Sequence, residues 1–445
     1  MTCAPCNTRL AVIARSNAPG GDDRLLISTM DPSGSTQTIS FPDVALANTY
    51  DFFFKSARIE RLDDGSGTCL GYVVAFSARG PGASHFDTHV LRYDQNLNLV
   101  FHTLINQGTG QSTYVRDLVV EDVTQPALVV MQEDYNSTRV ALVSLTTGSV
   151  SILRELEISL PSGVVDSRPA AAIVTPNSNF AGKYALAGDT DGYPFVVFLN
   201  SALQITDGVI FDVDGDGFNA EETVDLVAAS NRIYLTGIRT EDNGTAYPYT
   251  YSWLLACNGT VGPVQVGDLY FAYQFAVPTN GTRIRSIALN DSGNGLLLAG
   301  RSGIPEGGFT VGDFGDPFLF EVSLFQALVN WGRAYQTGMG RQGEVNSMGV
   351  SSDGICLAGA EWPAPTNYDF DIWVARTDHD GSINTSCDEP ITVNRTTLNA
   401  VNLAMNYANP NRNYTAFAGN YSDSPETLDE VACTTPASCS GTPAS

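Results

Sequence analysis

The feature that most limits what this chain can become is a triplet, Leu-Ala-Gly, that closes one short apolar run after another. It stands at Leu186-Ala187-Gly188, Leu298-Ala299-Gly300 and Leu357-Ala358-Gly359, with variants at Leu235-Thr236-Gly237 and Phe417-Ala418-Gly419. Those glycines lie 49, 63, 59 and 60 residues apart. A further apolar run follows four of them: Pro194 to Leu199, Trp253 to Ala256, Pro317 to Val322 and Ile372 to Arg376, with fainter copies at Leu25 to Met30, His89 to Arg92 and Val140 to Leu145. The runs are bounded by Gly, Asp and Asn, which tolerate the backbone angles of hairpin turns. The clearest unit, Asn346 to Ser386, reads as a four-stranded antiparallel meander: Asn346 to Val350, a strand closing on Leu357-Ala358-Gly359, Ile372 to Arg376, and a short fourth strand after the Asp380-Gly381 turn. Such units, repeated at this spacing, predict a β-propeller, whose blades bury their faces on one another.

The expected architecture is therefore all-β: a single propeller of four-stranded antiparallel blades over residues 1–421, seven blades being the count and eight the alternative. Three strand candidates between Thr8 and Phe41 lack a fourth, which Leu398 to Tyr407 is expected to supply, so that strands from both termini close the ring. Residues 422–445 turn rich in Ser, Thr and Pro and read as a tail or arm.

The pattern from Leu357 to Gly381, a Leu-Ala-Gly end, a polar loop and then Asp371-Ile372-Trp373-Val374-Ala375-Arg376-Thr377-Asp378, resembles the repeat of large extracellular β-propeller proteins of microbial surfaces. That resemblance implies a fold and an extracellular or cell-surface location, and no particular chemistry.

Charge narrows the partners. With 48 acidic against 23 basic residues, and Lys55 and Lys183 the only lysines, the net charge of -25 repels phosphate backbones and excludes nucleic acid. No apolar run approaches the roughly 20 residues of a membrane span, so no membrane insertion is expected. Eight cysteines, Cys3, Cys6, Cys69, Cys257, Cys356, Cys387, Cys433 and Cys439, read as a disulfide framework, with Cys356 to Cys387 a candidate bridge within one blade. Nine Asn-x-Ser/Thr sequons, at Asn136, Asn243, Asn258, Asn280, Asn290, Asn384, Asn394, Asn413 and Asn420, point to a secreted glycoprotein.

The sharpest local motif runs from Asp212 to Glu222. Asp212, Asp214 and Asp216 alternate ahead of Gly217, so the stretch resembles the calcium loop of EF-hand and dockerin modules. That resemblance implies calcium held by Asp212, Asp214, Asp216 and the Phe218 carbonyl. Thr223 stands where the bidentate glutamate of that loop belongs, leaving Glu221, Glu222 or Asp225 to complete the set. An Asp-Gly turn without metal is the competing reading. By strand parity the loop shares a face with the long loops that carry Tyr247, Tyr249, Phe309, Phe314, Trp362 and Tyr368. Aromatics beside carboxylates suit sugar stacking or a protein interface, against the alternative that they fold back over blade edges.

Catalytic patterns are missing. There is no Gly-x-Ser-x-Gly elbow, phosphate loop or dinucleotide fingerprint, and His85 and His89 share a spacing that binds metal only on a helix. No organic cofactor is expected. The sequence thus predicts a non-enzymatic, secreted, glycosylated structural or interaction propeller, a subunit of an extracellular filament, sheath or adhesive surface that assembles with itself or with other extracellular proteins and glycans. A carbohydrate-binding or carbohydrate-hydrolysing propeller using the aromatic face is the alternative.

Overall fold

In the computed structural model the chain is entirely strand and turn, with no helix among the described residues. Described are all residues except 1, 7–8, 18–22, 31–35, 42–50, 80–82, 107–109, 135–136, 161–166, 216–220, 242–248, 278–281, 303–314, 336–340, 353, 364–370, 384–387, 404, 409–414, 419–423 and 426–445.

Six meanders follow one another along the chain, each of four antiparallel strands. Blade one holds β1 (Thr2–Cys6), β2 (Arg9–Asn17), β3 (Asp23–Met30) and β4 (Thr36–Phe41). Blade two holds β5 (Asp51–Asp63), β6 (Cys69–Arg79), β7 (Asp87–Asp94) and β8 (Leu99–Asn106). Blade three holds β9 (Thr113–Val119), β10 (Ala127–Glu133), β11 (Ser137–Val143) and β12 (Val150–Ser159). Blade four holds β13 (Ser167–Val174), β14 (Tyr184–Thr190), β15 (Tyr193–Leu199) and β16 (Ile205–Asp212). Blade five holds β17 (Glu221–Ala229), β18 (Arg232–Glu241), β19 (Tyr249–Asn258) and β20 (Leu269–Ala276). Blade six holds β21 (Thr282–Leu289), β22 (Gly295–Ser302), β23 (Pro317–Ser323) and β24 (Val329–Tyr335). A last sheet has only three strands, β25 (Arg341–Ser351), β26 (Gly354–Pro363) and β27 (Asp371–Thr377).

The first strand of each sheet packs against the first strand of the next, and β25 packs on β1, so the seven sheets meet around one axis. Second and third strands are apolar on both faces because each sheet lies between two others. Val196, Phe198 and Phe211 of blade four pack with Leu235, Trp253 and Leu255 of blade five in one buried cluster.

The C-terminal segment makes no blade. Its strands β28 (Asp388–Pro390), β29 (Asn394–Thr397), β30 (Val401–Leu403), β31 (Asn406–Ala408), β32 (Thr415–Ala418) and β33 (Ser424–Pro425) pair antiparallel with β24, β20, β16, β12, β8 and β4 in turn. The segment travels backwards around the rim as a belt and gives each of the six blades a fifth strand. Met405 and Leu403 pack on the cluster between blades three and four, which anchors the belt there by apolar burial.

Four expectations are corrected. The blade count is six, each of five strands, in place of seven or eight of four. The Asn346 to Ser386 unit ends after three strands, because beyond Thr377 the chain turns away and joins blade six at β28. The ring is not closed by Leu398 to Tyr407: Thr2–Cys6 supplies the inner strand of blade one, while Val401–Leu403 and Asn406–Ala408 belong to the belt. Phe417-Ala418, counted with the blade repeats because it resembles the Leu-Ala-Gly end, pairs with β8 as belt.

Candidate functional site

The repeated glycine explains the site. In the four sheets that carry the Leu-Ala-Gly or Leu-Thr-Gly triplet the inner strand has a bulge, and the ladder to the second strand skips Ala170, Val224, Arg285 and Asn346. Opposite each bulge sits the glycine of the triplet. A Cβ built on Gly188, Gly237, Gly300 or Gly359 would lie 2.2, 2.2, 1.8 or 1.8 Å from the carbonyl oxygen of Arg168, Glu222, Arg283 or Glu344. No side chain fits that approach, so glycine is required there. The bulges increase the local twist, and the residue two positions before each one is charged: Arg168, Glu222, Arg283 and Glu344, alternating Arg, Glu, Arg, Glu around the axis.

More charge gathers on the same strands. Arg116 is skipped by the ladder of β9 to β10, and its Nε donates to Gln132 Oε1 at 2.8 Å. Arg58 Nε lies 3.5 Å from Asp117 Oδ1. Arg285 pairs with Glu344, whose other oxygen is 3.9 Å from Arg301 Nη1. Burial works against ionising Glu344, but Arg285 and Arg301 outweigh it and hold its carboxyl below the usual range. Burial lowers the pKa of Arg116, Arg283 and Arg301, and neighbouring guanidiniums add to the effect. Two carboxylates there are protonated more readily than usual: burial raises the pKa of Asp117 and pushes that of Asp225 up to about 7.

This axial cluster escaped sequence reasoning, in which arginines at intervals of tens of residues look unrelated. The signal was the charged residue that recurs shortly before each second strand.

Of the expected calcium ligands, Asp212, Asp214 and Glu221 come together, with one carboxylate oxygen from each within 4.8 Å of the others. Asp212 Oδ1 accepts a hydrogen bond from the Gly215 N–H at 2.8 Å, and Arg239 forms an ion pair with Asp214. The belt covers this loop: a Cβ on Gly215 would meet the Asn399 carbonyl at 2.5 Å. An all-oxygen carboxylate set suits a hard divalent cation. Glu222 does not join it, because strand alternation sends it to the opposite face from Glu221, where it acts on Arg116 and Arg283. Asp225, weighed as a substitute, is also elsewhere, accepting from the Ile287 and Leu226 N–H groups at 2.9 Å each. Asp216 and Phe218 lie outside the described residues.

The remaining expectations are scattered. Tyr247, Phe309, Phe314 and Tyr368 lie outside the described residues, and Tyr249 and Trp362 fall in β19 and β26 without described side chains. Asn258 is buried, and its Nδ2 donates to the carbonyls of Thr260, Val264 and Gln265 at 2.8, 3.1 and 3.0 Å. Asn290 Nδ2 donates to Asn294 Oδ1 at 2.9 Å, whereas Asn394 is exposed on the belt. The other six sequons, at Asn136, Asn243, Asn280, Asn384, Asn413 and Asn420, lie outside the described residues. Cys69 is disulfide-bonded. Cys257 is a buried thiol, outside any disulfide, whose pKa burial raises. Cys356 is buried on β26, Cys387, Cys433 and Cys439 lie outside the described residues, and Cys3 and Cys6 are placed in β1 by backbone alone. His89 and His102 are buried side by side, Nδ1 to Nε2 3.0 Å, with Phe76 stacked on His89. His85 sits apart, 3.5 Å from Asp87.

No family model matches the chain, and no curated protein does. Matching solved structures include a subtype N11 neuraminidase-like protein of A/flat-faced bat/Peru/033/2010 (H18N11), 11% identical over 88% of this chain and 90% of that one, with a TM-score of 0.26. A likeness at that score carries no argument about what this chain binds.

Proposed function

We propose that this protein is a secreted structural or interaction propeller that joins other chains through the outer edge of its three-stranded sheet. One observation carries this reading: every other sheet has five strands, and among the described residues β27 is bordered on one side only. An edge of unpaired N–H and C=O groups recruits a strand. The belt of the same subunit is poorly directed for the role. It adds strands antiparallel to each fourth strand, and this sheet has no fourth strand for it to follow. An antiparallel neighbour of β27 must run opposite to the belt, which suits a strand donated by a second copy, its segment 426–445 being the donor.

The acidic triad of Asp212, Asp214 and Glu221 is read as a calcium site that pins the belt to blade four at Asn399. Glycans and disulfides suit the same extracellular setting. Light scattering and electron microscopy of the full chain, and of one ending at Pro425, test the proposal. Ordered polymers from the first and dispersed propellers from the second are expected. Monomers from both, at high calcium and millimolar protein, would contradict it.

A further inference from the structure

Blade six places like charges face to face. Arg283 of β21 and Arg301 of β22 are direct cross-strand partners, and Arg285 occupies the bulge next to Arg283. Like charges directly opposite in an antiparallel pair are destabilising. Glu344 hydrogen-bonds Arg285 and forms a longer ion pair with Arg301, while the buried Nε of Arg283 has no hydrogen-bond partner among the described residues. The neighbouring Glu222 is exposed and acts on Arg283 only as a nearby charge. Folding alone does not call for three guanidiniums around one carboxylate. A chain of net charge -25 has no shortage of acidic residues with which to neutralise them.

We propose that Arg283, Arg285 and Arg301 form a binding site for a small anion that presents carboxylates, held at the axial end of blade six. Guanidinium forks match planar carboxylates with two parallel hydrogen bonds each. The bulge, and the glycine that permits it at Gly300, set two of the forks on one short stretch of backbone. Three forks around the single Glu344 carboxylate offer more hydrogen-bond donors than one carboxylate can use, so the site favours an anion with several carboxylates over a monovalent one. This inference is independent of the strand-edge proposal, since it concerns the axis and not the rim.

The test uses the full chain and citrate as probe, by calorimetric titration at fixed ionic strength, with sulfate and inorganic phosphate as separate arms. Saturable citrate binding to the wild type is expected, weakened at least tenfold in Arg283→Gln. The ligand-free Arg283→Gln protein is expected to melt no lower than wild type, because the substitution relieves repulsion. A lower melting temperature would instead make Arg283 a structural counter-charge and overturn the assignment. Arg283→Lys, which keeps the charge in a folded cluster and loses the fork, is expected to weaken citrate binding as well. Binding of sulfate or phosphate without citrate, or equal citrate binding by wild type and both variants, overturns the proposal.

Discussion

The Asp225 carboxylate on β17 accepts a hydrogen bond from the Ile287 N–H on β21 at 2.9 Å, and Asp117 on β9 makes the same reach to the Ala172 N–H on β13 at 2.7 Å. Both aspartates follow the inner-strand bulge, and both bond the backbone of the next blade. Blades in this ring are therefore braced by half-buried carboxylates as well as by apolar contact. Asp225→Ala leaves the Ile287 N–H without its acceptor and is expected to cost about 1–3 kcal/mol in a denaturant titration.

The same residue makes stability depend on pH. Its folded pKa is raised from an ordinary 3.8 to about 7, chiefly by burial, so the folded chain binds a proton that the unfolded chain releases. Its contribution is fully present below about pH 4 and is lost as pH rises through about 7. Asp225→Asn, uncharged throughout, is expected to gain on wild type in melting temperature between pH 5 and pH 8. Equal slopes for the two proteins would contradict the assignment.

The His89 and His102 pair has the opposite sign. Burial lowers both, His102 to about 4, so their contribution is present above about 6.5 and is lost as pH falls through about 4. Replacing His102 by Gln is expected to lessen the loss of stability on acidification from pH 6.5 to pH 4, read by thermal melts across that window.

Calcium is expected to raise the melting temperature of wild type, by the equivalent of about 2.7 kcal/mol at a hundredfold excess over Kd. Asp212→Asn should abolish the shift. Arg239→Gln, which releases Asp214 from its ion pair, should enlarge it. A calcium response unchanged in Asp212→Asn would move the ion elsewhere.

Peptide mapping of the native material distinguishes the sequons. Occupancy is expected at the exposed Asn394 and not at Asn258, whose amide nitrogen already makes three hydrogen bonds.

How much of this was legible in the sequence follows from strand length and burial. Strands such as Tyr193–Leu199, buried on almost every residue, announce themselves as apolar runs, and Leu-Ala-Gly marks the second strand because a carbonyl approaches its glycine. The belt strands span two to four residues each, too short for any periodic pattern, and β28, β29 and β30 lie largely in solvent. Thr2–Cys6, with a proline and two cysteines, reads as a disulfide-bearing terminus although its backbone forms an inner strand. The acidic loop was legible because its carboxylates, Asp212, Asp214 and Glu221, are close in sequence. The axial charges were not, because Arg116 and Glu344 meet their partners only where one blade packs on the next, and Arg283 meets Arg301 only once β21 and β22 pair.

The central claim is that β27 takes a strand from another chain, and hydrogen–deuterium exchange of the 371–377 amides over a range of protein concentrations tests it most directly. The account predicts exchange that slows several-fold as assemblies form, with the inner strand β25 equally protected throughout. Exchange at 371–377 that is independent of concentration, in samples seen to polymerise, would contradict it.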